Sequence, residues 1–356
     1  MSAGPISVLS VESLRPAAAT VATREGATTR PAADRLALLD TVRLVAAVGI
    51  VWVHAAQSDV GKWFWPIGTF GVPFYTFVAV LFMTRSLTKP GGRSLTEYAV
   101  SRATRVYLPF LFWTAVYVAL SQAKSIVRDH TMNLPSPTVL YVGGHEHLWF
   151  LPFLMIVTLG GALLVKGVQG LPAARWPVVC LLAVLGVVAA VLPEPRWVAA
   201  REHDMDFWRY TLRATPTVCW ALALGLACAF HGKLPRTTPL LAVGGIVLLL
   251  GSMTLQETIT PFKVLRSTAG LGCVLIALLP LALPALRSVG SLGRYSYGIY
   301  LSHLVFLRIA AAWMERWETT PTLATDAACF GFAFVSASLL SLLLAKSPWT
   351  RWTLGE

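Results

Sequence analysis

An arginine and a histidine, Arg43 and His54, stand in a segment that otherwise suits lipid, LALLDTVRLVAAVGIVWVHAA. Ionisable side chains are costly at membrane depth, so each needs a reason to be there. On a helix turning about 100° per residue, the two fall within about 20° of one another around the axis and about 16 Å apart along it. Asp40 lies three residues before Arg43 and shares that side. One stripe, Asp40, Arg43, Ala47, Ile50 and His54, is therefore expected to face neighbouring helices. A neutral imidazole on that stripe can take up a proton or carry a group in transfer. The bland alternative makes Asp40 and Arg43 an interfacial ion pair that snorkels, and His54 a satisfied polar residue near the far end.

Three further clusters have suggestive chemistry. Arg102 and Arg105, in SRATR, sit three apart on one helix face, where two guanidiniums can grip a phosphate. With Arg85, Lys89 and Arg93 they form the densest basic patch in the chain, set against the single acid Glu97. Such a patch attracts polyanions, although membrane topology alone also places basic residues beside helices. His147 and Trp149 lie in EHLWFLP, where Trp149 suits an aromatic belt and His147 either pairs with Glu146 or opens a site. His303 ends GRYSYGIYLSH, mid-segment, with Tyr300 and Ser302 close by; helix-to-helix hydrogen bonding is its plainer explanation. Trp63, Phe64 and Trp65 offer faces on which a sugar would stack, with an aromatic belt again the alternative. Cys180, Cys219, Cys228, Cys273 and Cys329 lie in apolar runs without ligand spacing. They are expected to be small buried hydrophobes, and no metal site is expected.

These residues must be positioned by membrane helices. The chain is 56% hydrophobic and only 13% charged, against roughly 45–50% and about 25% in soluble domains. An all-α, polytopic membrane bundle of about ten helices follows, since a bilayer core needs roughly 20 helical residues. The expected spans are 36–57, 63–84, 106–123, 148–166, 176–192, 210–230, 239–255, 267–286, 295–314 and 327–345. Residues 1–34, polar and without a hydrophobic signal core, read as a disordered cytoplasmic tail. Residues 35–346 form the membrane domain, and 347–356 a short cytoplasmic C-terminal tail. Lys and Arg are in excess on the side that holds both termini, which predicts N-in and C-in. The net charge of +12 is distributed by that rule, so no nucleic-acid partner is expected.

Taken in order, LLDTVRLVAAVGIVWVHA, SRATRVYLPF, HLWFL and SYGIYLSH resemble the acyltransferase-3 family of bacterial membrane enzymes. Arg43 and His54 match its Arg-x10-His, and Arg102 and Arg105 its Arg-x-x-Arg. The resemblance implies a multi-pass O-acyltransferase of the bacterial cytoplasmic (inner) membrane. It would move an acyl group, commonly acetyl, from cytosolic acyl-CoA to a hydroxyl of a sugar, polysaccharide or glycolipid. Acyl-CoA is then a co-substrate, and no permanently bound cofactor is implied. His54 becomes the catalytic residue, either as general base or as an acylated relay. Arg102 and Arg105, with Arg43, would hold the coenzyme phosphates. Asp40, His147, Trp149, Tyr300, Ser302 and His303 are candidates for lining the site. Two alternatives remain: a transporter or flippase with Arg43, His54 and His303 along its path, and a non-catalytic scaffold.

Overall fold

The computed structural model describes residues 37–132, 135–192, 206–231, 238–251, 259–277 and 285–355. The expected tail, 1–34, lies outside the described residues. Every described element is helical. The first is α1 (Ala37–Ala55), followed by two short helices, α2 (Asp59–Trp63) and α3 (Trp65–Gly68), and then α4 (Gly71–Thr88). Next, α5 (Leu95–Arg102) runs through a π-helical turn (Ala103–Tyr107) into α6 (Leu108–Asp129). After α7 (Val139–Val142), a 3-10 turn (Glu146–Trp149) leads into α8 (Phe150–Gln169). Then come α9 (Arg175–Val191), α10 (Asp206–His231), α11 (Thr238–Gly251) and α12 (Ile259–Ala277). The chain closes with α13 (Ala285–Gly293), α14 (Ser296–Arg316), α15 (Leu323–Lys346) and a 3-10 turn, Arg351–Leu354.

Eight helical stretches are long and apolar enough to cross a membrane. The other two expected spans, 239–255 and 267–286, meet the shorter α11 and α12, and residues 252–258 and 278–284 fall outside the described set. Two of the boundaries that differ from expectation do so for one reason. The third span extends back to Leu95, and the eighth back to Ile259, across polar residues that interrupt the apolar window. Ser94 and Glu97 close a capping box at the start of α5, so the helix begins there despite its charge.

Lipid tails are as apolar as leucine, so packing here depends on close approach and on satisfied polar groups. Gly49 of α1 lies against Gly68 of α3, where a Cβ would come within 2.8 Å of the Gly68 Cα. Gly245 and Gly272 bring α11 and α12 together in the same way, at 2.7 Å. Thr76, Thr84, Thr158, Ser302 and Ser341 donate to carbonyls one turn back at 2.7–2.9 Å. Each buried hydroxyl is thereby satisfied within its own helix. Cys180, expected inside, is exposed on α9 beside Leu181, Val184 and Leu185. In a membrane helix, lipid takes the place of the core for such a face.

Helix α1 sits between two apolar clusters. Ala47, Ile50 and Val51 pack into one with Phe110, Tyr117 and Leu301, while Leu39 and Ala46 pack into the other with Phe74, Phe77 and Leu226. It touches α3, α4, α12, α13, α14 and α15. The stripe that begins at Asp40 faces this bundle as expected, with Ala47 and Ile50 buried and His54 only half-buried.

Candidate active site

The end of α1 is held by a contact that spans most of the sequence. Asp326, in the first turn of α15, accepts from the Gln57 amide at 2.9 Å, the Ser58 amide at 3.1 Å and the Ser58 hydroxyl at 2.5 Å. Ser58 in turn caps α2 through the Gly61 amide at 3.0 Å, and the Trp52 indole donates to the Gly61 carbonyl at 3.2 Å. The carboxylate is 1% exposed, and a Cβ at Gly61 would collide with it. The turn after His54 is therefore pinned to α15. Asp326→Ala leaves the buried Ser58 amide and hydroxyl without this acceptor, at about 1–3 kcal/mol each. The expected result is faster hydrogen exchange at 56–61 and a lower thermal midpoint in detergent. Unchanged exchange there would remove the pinning role.

His54 meets two other histidines, and a third, His145, adjoins them. Its ring lies 5.4 Å from His303 and 6.4 Å from His147, centroid to centroid. His147 is 5.2 Å from His303 and 5.3 Å from His145. The rings meet tilted or edge to face; among the described residues, no three His, Cys, Asp or Glu side chains are arranged to hold a metal ion. The Nδ1 of His303 lies 2.7 Å from the Tyr300 carbonyl. A carbonyl only accepts, so Nδ1 carries the proton and Nε2 presents a lone pair. That Nε2 is buried without a partner, as are both ring nitrogens of His147. Two tyrosines close the cluster, each donating to a backbone carbonyl: Tyr117 to Leu301 at 2.8 Å, and Tyr300 to His147. At the rim, His145 is pushed down to about 4 by burial, and then by the charges of Arg308 and His54. It is neutral at neutral pH.

A cavity of about 560 Å³ begins at four arginines, Arg43, Arg102, Arg105 and Arg294. Its walls are apolar, with Val78, Phe82, Leu151 and Leu154 among them, and Tyr300 also lines it. Along α14 the lining passes from Ser296 through Tyr297 to Tyr300, and the next turn carries His303. Tyr300 thus faces the cavity while its ring stands 5.5 Å from His147 and 6.2 Å from His303. Arg43 is paired with Asp40 at 2.9 Å, as the spacing predicts. Arg102 rests over the Tyr98 ring and Arg294 over Tyr295, at 5.1 and 5.0 Å. The π-helical turn begins just after Arg102 and includes Arg105, and both side chains line the one cavity. Single π-turns are frequent where helices carry function.

A family model described as an acyltransferase domain matches residues 36–346. The chain belongs to the acyltransferase-3 family. It is a membrane acyltransferase. No curated protein and no solved structure matches it.

The acyltransferase has a second cavity, of about 570 Å³, beyond the other end of α1. Lys62, Arg213 and Arg266 line it, with Trp65, Trp149, Tyr210, Thr217 and Ser267. Trp149 is here, buried and stacked on Tyr210 with centroids 5.0 Å apart, and not in an aromatic belt. Glu146 is exposed while His147 turns inward, so those neighbours do not pair. Ser302 gives its proton to the Gly298 carbonyl at 2.8 Å and lines neither cavity. Sequence reasoning missed His145, Tyr117, Arg294 and Asp326. His145 left a trace in the HEH triplet; a tyrosine in an apolar helix and an acid near a helix start leave none.

Proposed function

We propose that the acyltransferase moves an acyl group, acetyl first among them, from acyl-CoA to a hydroxyl of a sugar, polysaccharide or glycolipid. The observation that carries this reading is a basic-mouthed, apolar-walled cavity that reaches Tyr300 beside the histidine cluster. Arginines suit the coenzyme phosphates, and apolar walls suit its arm. With N-in, C-in topology in a bacterial cytoplasmic membrane, that mouth faces the cytosol. His54, the accessible ring, acts as general base. The acceptor oxygen attacks the thioester carbon and its proton passes to His54. The C–S bond then breaks, and the departing thiolate takes that proton, so no net proton is gained or lost. The His303 ring, packed 5.4 Å from His54, holds it in orientation, and an imidazole N–H of His147 meets the developing oxyanion.

Membranes containing the enzyme and its acceptor, given labelled acetyl-CoA, should release free coenzyme A thiol in step with label in a glycan product. Solute flux without thiol release would indicate a transporter and overturn the reading.

A further inference from the structure

We infer that Arg93 and Ser101 form a separate anion subsite at the lip of the first cavity, which holds the phosphate carried on the ribose of coenzyme A. The inference rests on the proposed transfer from acyl-CoA and names the form of donor that the enzyme selects.

One turn builds the subsite. Tyr75, Val78, Ala79 and Phe82 give α4 a single cavity-lining face. Ser86, four residues beyond Phe82, continues that face about 6 Å outward. The Arg93 amide donates to the Ser86 carbonyl at 3.2 Å, and the Gly92 amide to the Lys89 carbonyl at 2.9 Å. The chain therefore doubles back where the lining face ends. Gly91 follows Pro90 with φ +64°, the left-handed conformation that a type II turn places after its proline. A Cβ at Gly92 would come within 2.6 Å of the Ser86 carbonyl oxygen. These residues fix where Arg93 leaves the turn. Its guanidinium then crosses to α5, where Nη1 donates to the Ser101 hydroxyl at 3.3 Å. Arg102, the next residue, lines the cavity. Arg93 thus stands just outside the lining, fastened beside an arginine that belongs to it.

The turn and α5 hold more positive charge than their acid balances. Arg85, Lys89, Arg93, Arg102 and Arg105 stand against Glu97 alone. Glu97 lies within electrostatic reach of Arg93, but its carboxylate accepts from the Ser94 amide at 2.8 Å in the capping box. Among the described residues, ion pairs form at Arg43 and Arg128, and none of these five bases joins one. A guanidinium has five N–H donors, so Arg93 can hold Ser101 and still present a fork to phosphate. Coenzyme A has phosphate in two places, a diphosphate next to its arm and a single phosphate on the ribose beyond. Arg102 and Arg105 suit the diphosphate where the arm enters. Arg93 lies further out, where the ribose would follow. Membrane topology alone places bases at this face, but it does not fasten an arginine across a tight turn onto the next helix. An arm attached to a carrier protein lacks the ribose phosphate and gains nothing at Arg93.

The test uses the full-length enzyme in membranes of its source cells, with the native copy deleted. It compares acetyl-CoA with acetyl-dephospho-CoA, which lacks only the ribose phosphate. The wild type should show an apparent KM about tenfold lower for acetyl-CoA. In Arg93→Gln that difference should shrink to within about twofold. Its apparent KM for acetyl-dephospho-CoA should stay at the wild-type value, which also shows that the variant folds. Arg85→Gln removes the same charge from the same loop without touching Ser101, and should keep the tenfold difference. Equal KM values in the wild type, or a difference that survives Arg93→Gln, overturns the inference. If it survives while stimulation by phosphatidylglycerol vesicles is lost, the subsite belongs to a lipid headgroup instead. An equal loss in Arg85→Gln also overturns it, leaving only diffuse attraction to a basic surface. In each of those outcomes continued consumption of both donors leaves the transferase reading standing; a wild type that consumes neither would remove that reading.

Discussion

His54→Ala lowers acyl transfer by about 10²–10⁴-fold, the range attributed to a positioned general base, while donor affinity and the helical bundle persist. The side chain lies in the last turn of α1, half-buried, and its contacts are with the rings of His147 and His303. Truncation removes ring contacts and leaves no buried carboxylate exposed, so the loss should appear in kcat and not in the amount of folded protein. His303→Ala should fall less than His54→Ala, because an orienting group acts only through its neighbour. His147→Ala should also fall less, since one oxyanion donor is typically worth about 10²–10³-fold. Initial rates with labelled acetyl-CoA and a thermal midpoint for each variant separate chemistry from folding. A single-turnover acid quench adds a further distinction: label retained on wild-type protein would mean an acylated histidine in place of a base. Label transfer undiminished in His54→Ala would end the catalytic assignment.

What the chain discloses before folding, and what it withholds, follows from the range of the forces involved. The stripe on α1 was legible because helical periodicity fixes it locally: Asp40 and Arg43 do pair, and Ala47 and Ile50 do face inward. Long apolar runs likewise marked eight membrane-length helices. Hydropathy failed where polar residues lie inside a helix, as at Ser94 to Arg105, since a capping box and tertiary packing decide the boundary there. The clustering of His54, His147 and His303 was visible only as separate motifs, because three distant helices bring them together. Trp149 stayed open between a belt and the site because a tryptophan near a span end has the same local signature in either; the structure puts it in a cavity wall. Asp326 was invisible for the same reason, since its partners are the amides of Gln57 and Ser58, far away in sequence.

Removing two guanidiniums from the first cavity tests the donor half of the mechanism. Arg102→Ala combined with Arg105→Ala raises the apparent KM for acetyl-CoA by about 10- to 100-fold, with a smaller change in kcat at saturation. A hydrogen bond to a charged group contributes about 1.5–3 kcal/mol, and 1.4 kcal/mol is a factor of ten. Two full contributions would exceed that range, but Arg105 is exposed and screened by salt, so it adds less than half-buried Arg102. Arg102 is also held over the Tyr98 ring, which limits the orientations it loses on binding. Arg43 and Arg294 remain in the double variant and preserve part of the affinity. Two controls make the outcome specific to phosphate. Raising ionic strength should weaken donor binding in the wild type more than in the double variant, because exposed charge pairs are screened within about 10 Å at 0.1 M salt. S-acetylpantetheine, which lacks phosphates, should be used equally well by both proteins. A double variant with wild-type apparent affinity for acetyl-CoA would place the phosphates elsewhere, and the second basic cavity would then become the donor site to test.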